Sequence, residues 1–568
     1  MSSKRKRSSA RQEFSKLTSP SQPIGASPAA DHDRPAELRT WLPLSIVVLV
    51  LSCVLIFFRL GHYPLWVDEA DTALFARGIA LTGDTSALIG DNLYAYNTGV
   101  LLKNLHGRYQ PPVPYYLAAP FVGVRGTSSL WPRIPFAICG LLSVVVLLYW
   151  MSRSRLATVT WIVMSIGLLC NVEFFLFCRQ CRYYSLTILL SLLIAYLYLN
   201  WKGRSWELAG IVLASILLLG TNYLTYAALY AVLGCDYLLF MRRERRLSVR
   251  QWFLLLAPQI LLGIVTVWIY NPLGTKAWLV GTSEQNLLVD KFTAIYRNFR
   301  DLNDCEFCVG IIMLAGLPVF FWTRNVWLLR GLIAVICYSV IAAIVSPQPA
   351  DLTNIAPVRY LVPLLPLCIG ISTMVIVTVS RGRWYFALPL AIAAFGFNIF
   401  NFPLSPSYWY CRPAEFIGEL WNPRATSIDV TVKWINDHVH QGESIWISPS
   451  LFEPSLIYHA PQPLYAWHLV YPPQKQFESL PLIHFFSTRP PPDYLIIFGP
   501  QKAYYDDKLI KIMKDQGIDY HLVEVLDIYW QDLTRPEILM RSFRPVEKFY
   551  RQVDAVYVFQ HVVKQGGS

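Results

Sequence analysis

Apolar residues in this chain run in long continuous blocks, rather than in the alternating or one-faced patterns typical of soluble strands and helices. The first block, "WLPLSIVVLVLSCVLIFFRL" (41–60), carries a single charge, at its end. It is long enough to cross a hydrocarbon core of about 30 Å. Further blocks follow at 113–124, 134–151, 157–177, 184–200, 208–220, 223–241, 252–270, 309–322, 326–344, 361–379 and 384–400.

This pattern predicts a polytopic all-α membrane domain over 41–400, with about 11–13 transmembrane helices. The basic tail before it (1–40) is expected to be disordered and cytoplasmic, by the positive-inside rule. The block 113–124 is short and follows "QPPVP", so we expect it to be re-entrant or interfacial. A cytoplasmic tail puts the first long loop, 61–112, outside, and placing "RRERR" (242–246) inside puts everything after residue 400 outside. The seven blocks between the tail and "RRERR" are an odd number, which these two placements do not allow, so the number of spans in the first half stays open.

After residue 400 the pattern changes. The segment "SIDVTVKWINDHVHQGESIWISP" predicts an amphipathic helix followed by a strand, and "DYLIIFGP" and "DAVYVFQHVV" predict further strands. Residues 401–568 are therefore predicted to form an extracytoplasmic α/β domain, of ordinary domain size.

Composition supports a lipid environment. Hydrophobic residues make up 54% and charged residues 15% of the 568 residues, and the mean hydropathy is +0.38. The net charge of +12 comes mainly from the tail and short loops, where it determines topology, so no nucleic-acid partner is predicted. The pairs "CRQC" (178–181) and "CEFC" (305–308) lack partners at zinc-finger spacing, so neither predicts structural zinc; a disulfide in the second stays open.

Three carboxylates, Asp68, Glu69 and Asp71, follow the first block almost directly, in "WVDEADTALFARGI". Acids in the first turn of a helix are stabilised by its dipole, which is one interpretation. The other is chemical, because a carboxylate can act as general base toward a hydroxyl.

Three arginines lie where the chain meets the membrane: Arg179 and Arg182 in "CRQCRYYSL", and Arg359 in "APVRYLVPLLPL". If their segment is helical, the spacing of Arg179 and Arg182 puts both on one face. They could anchor the chain at lipid head groups. A guanidinium at this depth is also costly unless it is paired, and it suits a phosphate. A base beside phosphate-binding groups predicts a lipid-linked substrate.

The order of these motifs resembles the GT-C class of integral-membrane glycosyltransferases. The similar branch contains the protein O-mannosyltransferases, the lipid A aminoarabinose transferases and related bacterial enzymes. The resemblance covers nearly all of 41–400 and is carried by "WVDEADTALFARGI", "YQPPVPYYL", "CRQCRYYSLTILLSLLIAYLYL", "TNYLTYAALYAVL" and "APVRYLVPLLPL".

The resemblance implies transfer of a sugar from a polyprenyl-phosphate-linked donor to a hydroxyl of a lipid, glycan or protein, with inversion, at the outer face of the inner membrane. It makes Asp68 the general base, with Glu69 as its neighbour or as the alternative base. It implies that Arg179, Arg182 and Arg359 bind the phosphate of the donor. The implied pocket contains Asp71, Tyr109, Gln110, Tyr183, Asn222, Tyr223 and Tyr360. Three positions depart from the family pattern: Gln110 and Asn222, where members often have a basic residue and a histidine, and Asp71, where the aminoarabinose branch has an arginine.

Other interpretations stay open. A transporter or flippase for a lipid-linked or anionic substrate would use the same charges as a path. A non-catalytic scaffold and a polymer ligase with diphosphate-linked donors are further alternatives. No cofactor is predicted with certainty. A divalent cation at the acid cluster is an alternative without a diagnostic ligand spacing.

Overall fold

The computed structural model describes residues 34–94, 102–154, 156–270, 287–305, 309–346, 357–401, 409–466, 477, 480, 490–499, 510–515, 517–528 and 554–562. The predicted disorder of the tail therefore lies mostly outside the described residues. The first helix begins at Arg34, seven residues before the start of the first apolar block. The added segment "RPAELRT" includes Ala, Glu, Leu and Arg, which favour helix.

Helices dominate up to residue 401. The first half of this region contains α1 (Arg34–Phe57), α2 (Val67–Thr82), α3 (Val113–Arg125), α4 (Leu130–Arg153), α5 (Thr158–Leu169), α6 (Val172–Cys178), α7 (Tyr184–Leu199), α8 (Ser205–Leu219) and α9 (Tyr223–Asp236). Two small hairpins lie between α2 and α3, formed by β1 (Leu88–Ile89) with β2 (Asn92–Leu93), and by β3 (Leu102–Lys103) with β4 (His106–Gly107).

A π-helical turn, Tyr237–Met241, and a turn of helix, Arg242–Glu244, extend α9. The second half then contains α10 (Val249–Ile269), α11 (Leu287–Cys305), α12 (Val309–Thr323), α13 (Val326–Val345), two 3₁₀ turns (Pro357–Tyr360 and Val362–Leu364), α14 (Leu365–Val379) and α15 (Trp384–Ala391).

Each predicted apolar block coincides with a helix. Five helices in the part of the chain that the structure describes are long and apolar enough to cross a membrane by themselves. The bent pair α5–α6, with 56° between its halves, makes a sixth candidate, and shorter apolar helices accompany them. Large apolar side chains on α10 point outward, Phe253 at 69% and Trp268 at 79% exposure. Such a surface requires lipid as its solvent, so the chain is a multi-pass membrane protein.

The C-terminal region is an α/β domain, as predicted. Its elements are α16 (Arg412–Trp421), α17 (Ser427–His438), β5 (Ser444–Ser448), α18 (Glu453–His459), β6 (Leu464–Tyr465), β7 (Tyr494–Phe498), α19 (Ile510–Asp515), β8 (Tyr520–Ile528) and β9 (Asp554–His561). The strands form one sheet in the order β6-β5-β7-β9-β8. β5 is parallel to β6 and β7, and β9 is antiparallel to β7 and β8.

The first loop and the C-terminal domain share one hydrophobic core. Phe75 of α2 and Tyr115 of α3 belong to the same buried cluster as Ile457 of α18 and Ile496 of β7. Helix α18 packs directly on α2. The helix that carries the acid cluster is thus held by the C-terminal domain as well as by the membrane helices.

Candidate active site

The acid cluster lies at the start of α2, with Asp68 and Glu69 in its first turn, and helix geometry points its members in different directions. At about 100° per residue, Asp68 and Asp71 lie on neighbouring parts of the helix surface, while Glu69 points elsewhere. Glu69 is 0% and Asp71 4% exposed, whereas the Asp68 side chain is 21% exposed. Asp68 is therefore the most accessible carboxylate of the three.

Asp68 lies between two of the predicted arginines. Its Oδ2 is 3.7 Å from Nη2 of Arg182 and 3.5 Å from Nη1 of Arg359. Both distances are those of ion pairs and exceed hydrogen-bond length. The carboxylate is attracted by two cations without being held by hydrogen bonds to them.

Asp71 is held in place by hydrogen bonds to both of its carboxylate oxygens. Its Oδ2 accepts a hydrogen bond from Nη1 of Arg182 at 2.7 Å. Its Oδ1 accepts from the hydroxyls of Tyr109 at 2.6 Å and Tyr94 at 2.7 Å. Burial, together with the charge of Asp71, raises the pKa of the Tyr109 phenol well above its usual value, so Tyr109 stays a donor. Arg182 also donates to Oγ1 of Thr72 at 2.9 Å.

Glu69 belongs to a separate, buried ion pair. Nε and Nη2 of Arg133 donate to its two carboxylate oxygens at 2.8 and 2.5 Å. The amide of Cys181 donates to Oε1 at 2.6 Å. Arg133 also donates to main-chain carbonyls of the loop before α2, including that of Tyr63 at 2.8 Å. This geometry ties the start of α2 to the head of α4 and to the loop that carries Arg182.

The structure separates Arg179 from Arg182. The helical condition of the sequence argument fails, because residues 179–183 form the turn between α6 and α7. Arg179 instead donates to main-chain carbonyls at the end of α1: Leu55 at 2.9 Å, Ile56 at 3.0 Å, Phe58 at 2.9 Å and Arg59 at 3.2 Å. It thereby supplies donors to the otherwise unsatisfied C-terminal carbonyls of that helix. This placement does not support a phosphate-binding role for Arg179.

Two predicted pocket residues lie beside the arginine pair. The Arg182 guanidinium lies 5.5 Å from the ring centre of Tyr183, and that of Arg359 lies 4.7 Å from the ring centre of Tyr360. Both geometries are cation–π contacts. The tyrosine rings therefore form one wall of the Asp68 site.

The other predicted pocket residues have local structural contacts. Gln110 accepts a hydrogen bond from the hydroxyl of Tyr115 at 3.1 Å. Asn222 is the N-cap of α9, since its side chain accepts from the amide of Thr225 at 2.8 Å. The neighbouring Tyr223 has a buried hydroxyl without a hydrogen-bond partner among the described residues.

Several residues of this region were missed by the sequence argument. Arg133 could have been found, because a lone arginine at the head of an apolar block is the signal that singled out Arg359. Helix α11 has its apolar side outward and its polar side inward. Leu288, Phe292 and Tyr296 are exposed, while Asn298 is buried and donates to the carbonyl of Ser339 at 2.9 Å. The helix also packs against the 3₁₀ turn that carries Arg359. Its polar side therefore faces the protein near the site.

His459 fastens the C-terminal domain to the start of α2. Its Nε2 accepts from the amide of Leu65 at 2.8 Å, and its Nδ1 lies 2.9 Å from the carbonyl of Thr127. These partners require a neutral ring with its proton on Nδ1. Burial lowers the pKa of His459 to about 3, which agrees with the neutral form. The hydroxyl of Tyr458 donates to the carbonyl of Ser128 at 3.1 Å and adds a second tie.

The charges around the acid cluster bear on the divalent-cation alternative. Each of the three carboxylates faces a guanidinium, and the positive charges disfavour a second cation there. Among the described residues no group of three or more His, Cys, Asp or Glu side chains is arranged to hold a metal ion.

Comparisons with known proteins address the fold. No family model and no curated protein matches the chain. Two crystal structures of ArnT from Cupriavidus metallidurans are similar to it, one in the apo state and one bound to undecaprenyl phosphate. Each has a TM-score of 0.52 and 12% sequence identity. The matches cover 92% and 93% of this chain, and 98% and 99% of the two ArnT chains.

The chain has the GT-C fold. Because the match spans both the membrane helices and the C-terminal sheet, the predicted fold class is confirmed over almost the whole length. The predicted resemblance to the branch that includes the lipid A aminoarabinose transferases is confirmed at the level of the fold. At 12% identity the match shows the fold alone, and the substrate has to be inferred from the residues of the site.

Proposed function

We propose that this GT-C protein transfers a sugar from a polyprenyl-phosphate-linked donor to a hydroxyl acceptor, with Asp68 as general base. The observation that carries the proposal is the position of Asp68, the most exposed carboxylate of the cluster, between Arg182 and Arg359. The ArnT structure bound to undecaprenyl phosphate supports a donor of this chemical class. The inner membrane and an extracytoplasmic site are part of the same proposal.

In this reaction Asp68 accepts the proton of the acceptor hydroxyl as its oxygen attacks the anomeric carbon. The bond between that carbon and the phosphate oxygen breaks, and the electron pair leaves with the lipid phosphate. Arg182 and Arg359 stabilise the phosphate as its charge develops. Attack opposite the leaving group inverts the anomeric centre. Glu69 and Asp71 position the helix and Arg182, and do not take the proton.

A cavity beside the site fits the lipid part of such a donor. Its volume is about 320 Å³, within the usual range for ligand sites, and mostly apolar side chains of α4, α5, α7, α9, α13 and α14 line it. One end is at Tyr338, whose hydroxyl donates to the carbonyl of Tyr360 at 3.2 Å. The cavity thus reaches Tyr338, which contacts the residue next to Arg359, and an apolar tail would continue into it from a bound phosphate.

The experiment is an in vitro transfer assay. Purified protein in nanodiscs is incubated with a panel of polyprenyl-phosphate sugars and membrane-extract acceptors, and released polyprenyl phosphate is followed by mass spectrometry. We expect acceptor-dependent release by the wild type, and its loss in Asp68→Asn. Since removal of a positioned general base costs about 10²- to 10⁴-fold, the loss should be almost complete.

Asp91→Asn is the matched control, because Asp91 is an exposed carboxylate in the same loop. It should release polyprenyl phosphate at the wild-type rate. A folded Asp68→Asn protein that is as active as wild type would refute the general-base role. A wild type that binds the lipids but releases nothing with any donor would favour the transporter or the scaffold.

A further inference from the structure

A partly buried polar cluster lies at the end of the apolar cavity opposite Tyr338. Nε and Nη2 of Arg330 donate to the two oxygens of Asp236 at 2.7 and 2.6 Å. The hydroxyl of Tyr198 donates to Oδ2 of the same carboxylate at 2.9 Å. The Arg330 guanidinium also lies 4.6 Å from the ring centre of Trp327. We call the four residues Tyr198, Asp236, Trp327 and Arg330 the polar floor of the cavity. They come from three helices, α7, α9 and α13.

The polar floor lines the same cavity that begins at Tyr338. All four of its side chains face the cavity, together with Trp150 and Ser154 at the end of α4. Arg330 and Tyr338 lie on the same helix, about 12 Å apart at about 1.5 Å per residue. The cavity therefore extends from Tyr338, which contacts the residue next to Arg359, to the charged pair Asp236–Arg330.

Helix packing alone is a weak explanation of this pair. A buried ion pair of this kind is often neutral, or even unfavourable, compared with apolar residues of similar volume. Charged side chains within membrane helices usually border a cavity or a path with a function. An apolar chain entering the cavity gains little over its place in lipid, and it loses free energy if it must displace water from the partly exposed Asp236–Arg330 pair. The pair therefore limits how far a tail can enter.

We propose that the polar floor, through its Tyr198–Asp236–Arg330 contacts, sets the length of the isoprenoid tail that the cavity accommodates. The proposal rests on the proposed function only in taking the ligand to be a polyprenyl phosphate. Tails short enough to end above the floor bind along the cavity. Longer tails must turn out between helices, which costs affinity.

The test measures binding rather than turnover. Full-length protein in nanodiscs is given polyprenyl monophosphates of increasing isoprene number, each with a photoreactive diazirine at the tail end. Relative affinity is measured by competition, and the labelled residues are mapped by mass spectrometry. In the wild type we expect labelling to advance with chain length from the level of Tyr338 to that of Trp327, and affinity to pass through an optimum.

The double variant Asp236→Leu with Arg330→Leu removes both charges together, because one partner alone would leave an unpaired buried charge. We expect its optimum to move to longer tails. Relative affinity for tails beyond the wild-type optimum should rise about fivefold, a factor that corresponds to roughly 1 kcal/mol. The charge swap Asp236→Arg with Arg330→Asp keeps a polar floor and should keep the wild-type optimum.

The matched control is Ser215→Ala with Tyr230→Phe, which removes a 2.6 Å hydrogen bond between α8 and α9 outside the cavity. It should keep the wild-type length profile. An unchanged profile in the double leucine variant overturns the proposal, as does labelling confined to outward residues such as Phe253 at every length. If the profile shifts as expected while the wild type transfers no sugar, the length limit stands and the transferase proposal falls.

Discussion

Comparing Glu69→Gln with Asp68→Asn distinguishes a carboxylate that positions the helix from one that takes part in the proposed reaction. Glu69 and Asp68 are adjacent in the chain, but the structure gives them different surroundings. Glu69 is 0% exposed and bonded to Arg133, while Asp68 is partly exposed between Arg182 and Arg359. We expect Glu69→Gln to lower stability strongly. We expect Asp68→Asn to abolish transfer with a smaller loss of stability than Glu69→Gln.

The magnitude follows from the bonds around Glu69. Its two oxygens accept from Arg133, from the amide of Cys181, and from the amide of Trp66 at 3.4 Å. A glutamine has one oxygen, so its NH₂ group must face Arg133 and an amide donor, and the buried guanidinium loses its counter-charge. Breaking a buried pair in this way costs about 3–5 kcal/mol. The Asp68 pairs are contacts of 3.5 and 3.7 Å, beyond hydrogen-bond length, and Arg182 keeps its 2.7 Å bond to Asp71 when Asp68 is replaced, so we expect a smaller loss of stability from Asp68→Asn.

Both quantities are measured on the same purified proteins: the free energy of unfolding from denaturant titration in detergent, and acceptor-dependent release of polyprenyl phosphate. The double variant Glu69→Gln with Arg133→Met removes the whole pair and should recover part of the lost stability. A Glu69→Gln protein that is as stable as wild type, yet as inactive as Asp68→Asn, would refute this reasoning and make Glu69 the base.

Three further predictions follow from single contacts. Arg179→Gln should lower stability while the KM for the donor stays within about twofold, whereas Arg182→Gln should raise that KM; equal KM effects would return Arg179 to the phosphate site. Asn222→Ala should cost about 1 kcal/mol of unfolding free energy through its lost N-cap; a larger fall in kcat/KM would make it a pocket residue. His459 binds its proton less well in the folded protein, with a pKa of about 3 against 6.5, so stability should fall as the pH drops from about 6.5 toward 3, by up to about 5 kcal/mol. His459→Gln should flatten that dependence in unfolding titrations at pH 7 and pH 4.

Much of the architecture could be predicted because lipid imposes a simple rule on sequence. A chain that crosses a membrane must satisfy its backbone internally, so each apolar block had to be a helix. The break between α5 and α6 was not predictable from apolarity alone. It depends on Asn171, whose side chain caps α6 by accepting from the amide of Phe174 at 2.8 Å. The start at Arg34 was missed because polar helix formers carry no apolar signal.

The arginines show where sequence reasoning about the site stops. All three share the same signal, a guanidinium at the membrane boundary, yet their environments differ. Arg182 and Arg359 face Asp68, while Arg179 caps the end of α1. The distinction depends on the turn at 179–183, which rotates two residues only three positions apart toward different helices. Periodicity assumes a continuous helix and could not show this.

The spacing of the acid cluster, by contrast, already predicts that its three side chains have different surroundings. Positions 68, 69 and 71 of one helix turn point about 100° and 60° apart, so they cannot share one environment. One must meet α4, where Arg133 pairs with Glu69; one must meet the tyrosines, where Tyr94 and Tyr109 hold Asp71. The third, Asp68, is left facing the arginine pair. Helix-dipole stabilisation and the proposed general-base chemistry are therefore compatible interpretations of the same segment, because the two buried carboxylates position the helix and Asp68 is the one that the proposal assigns to the reaction.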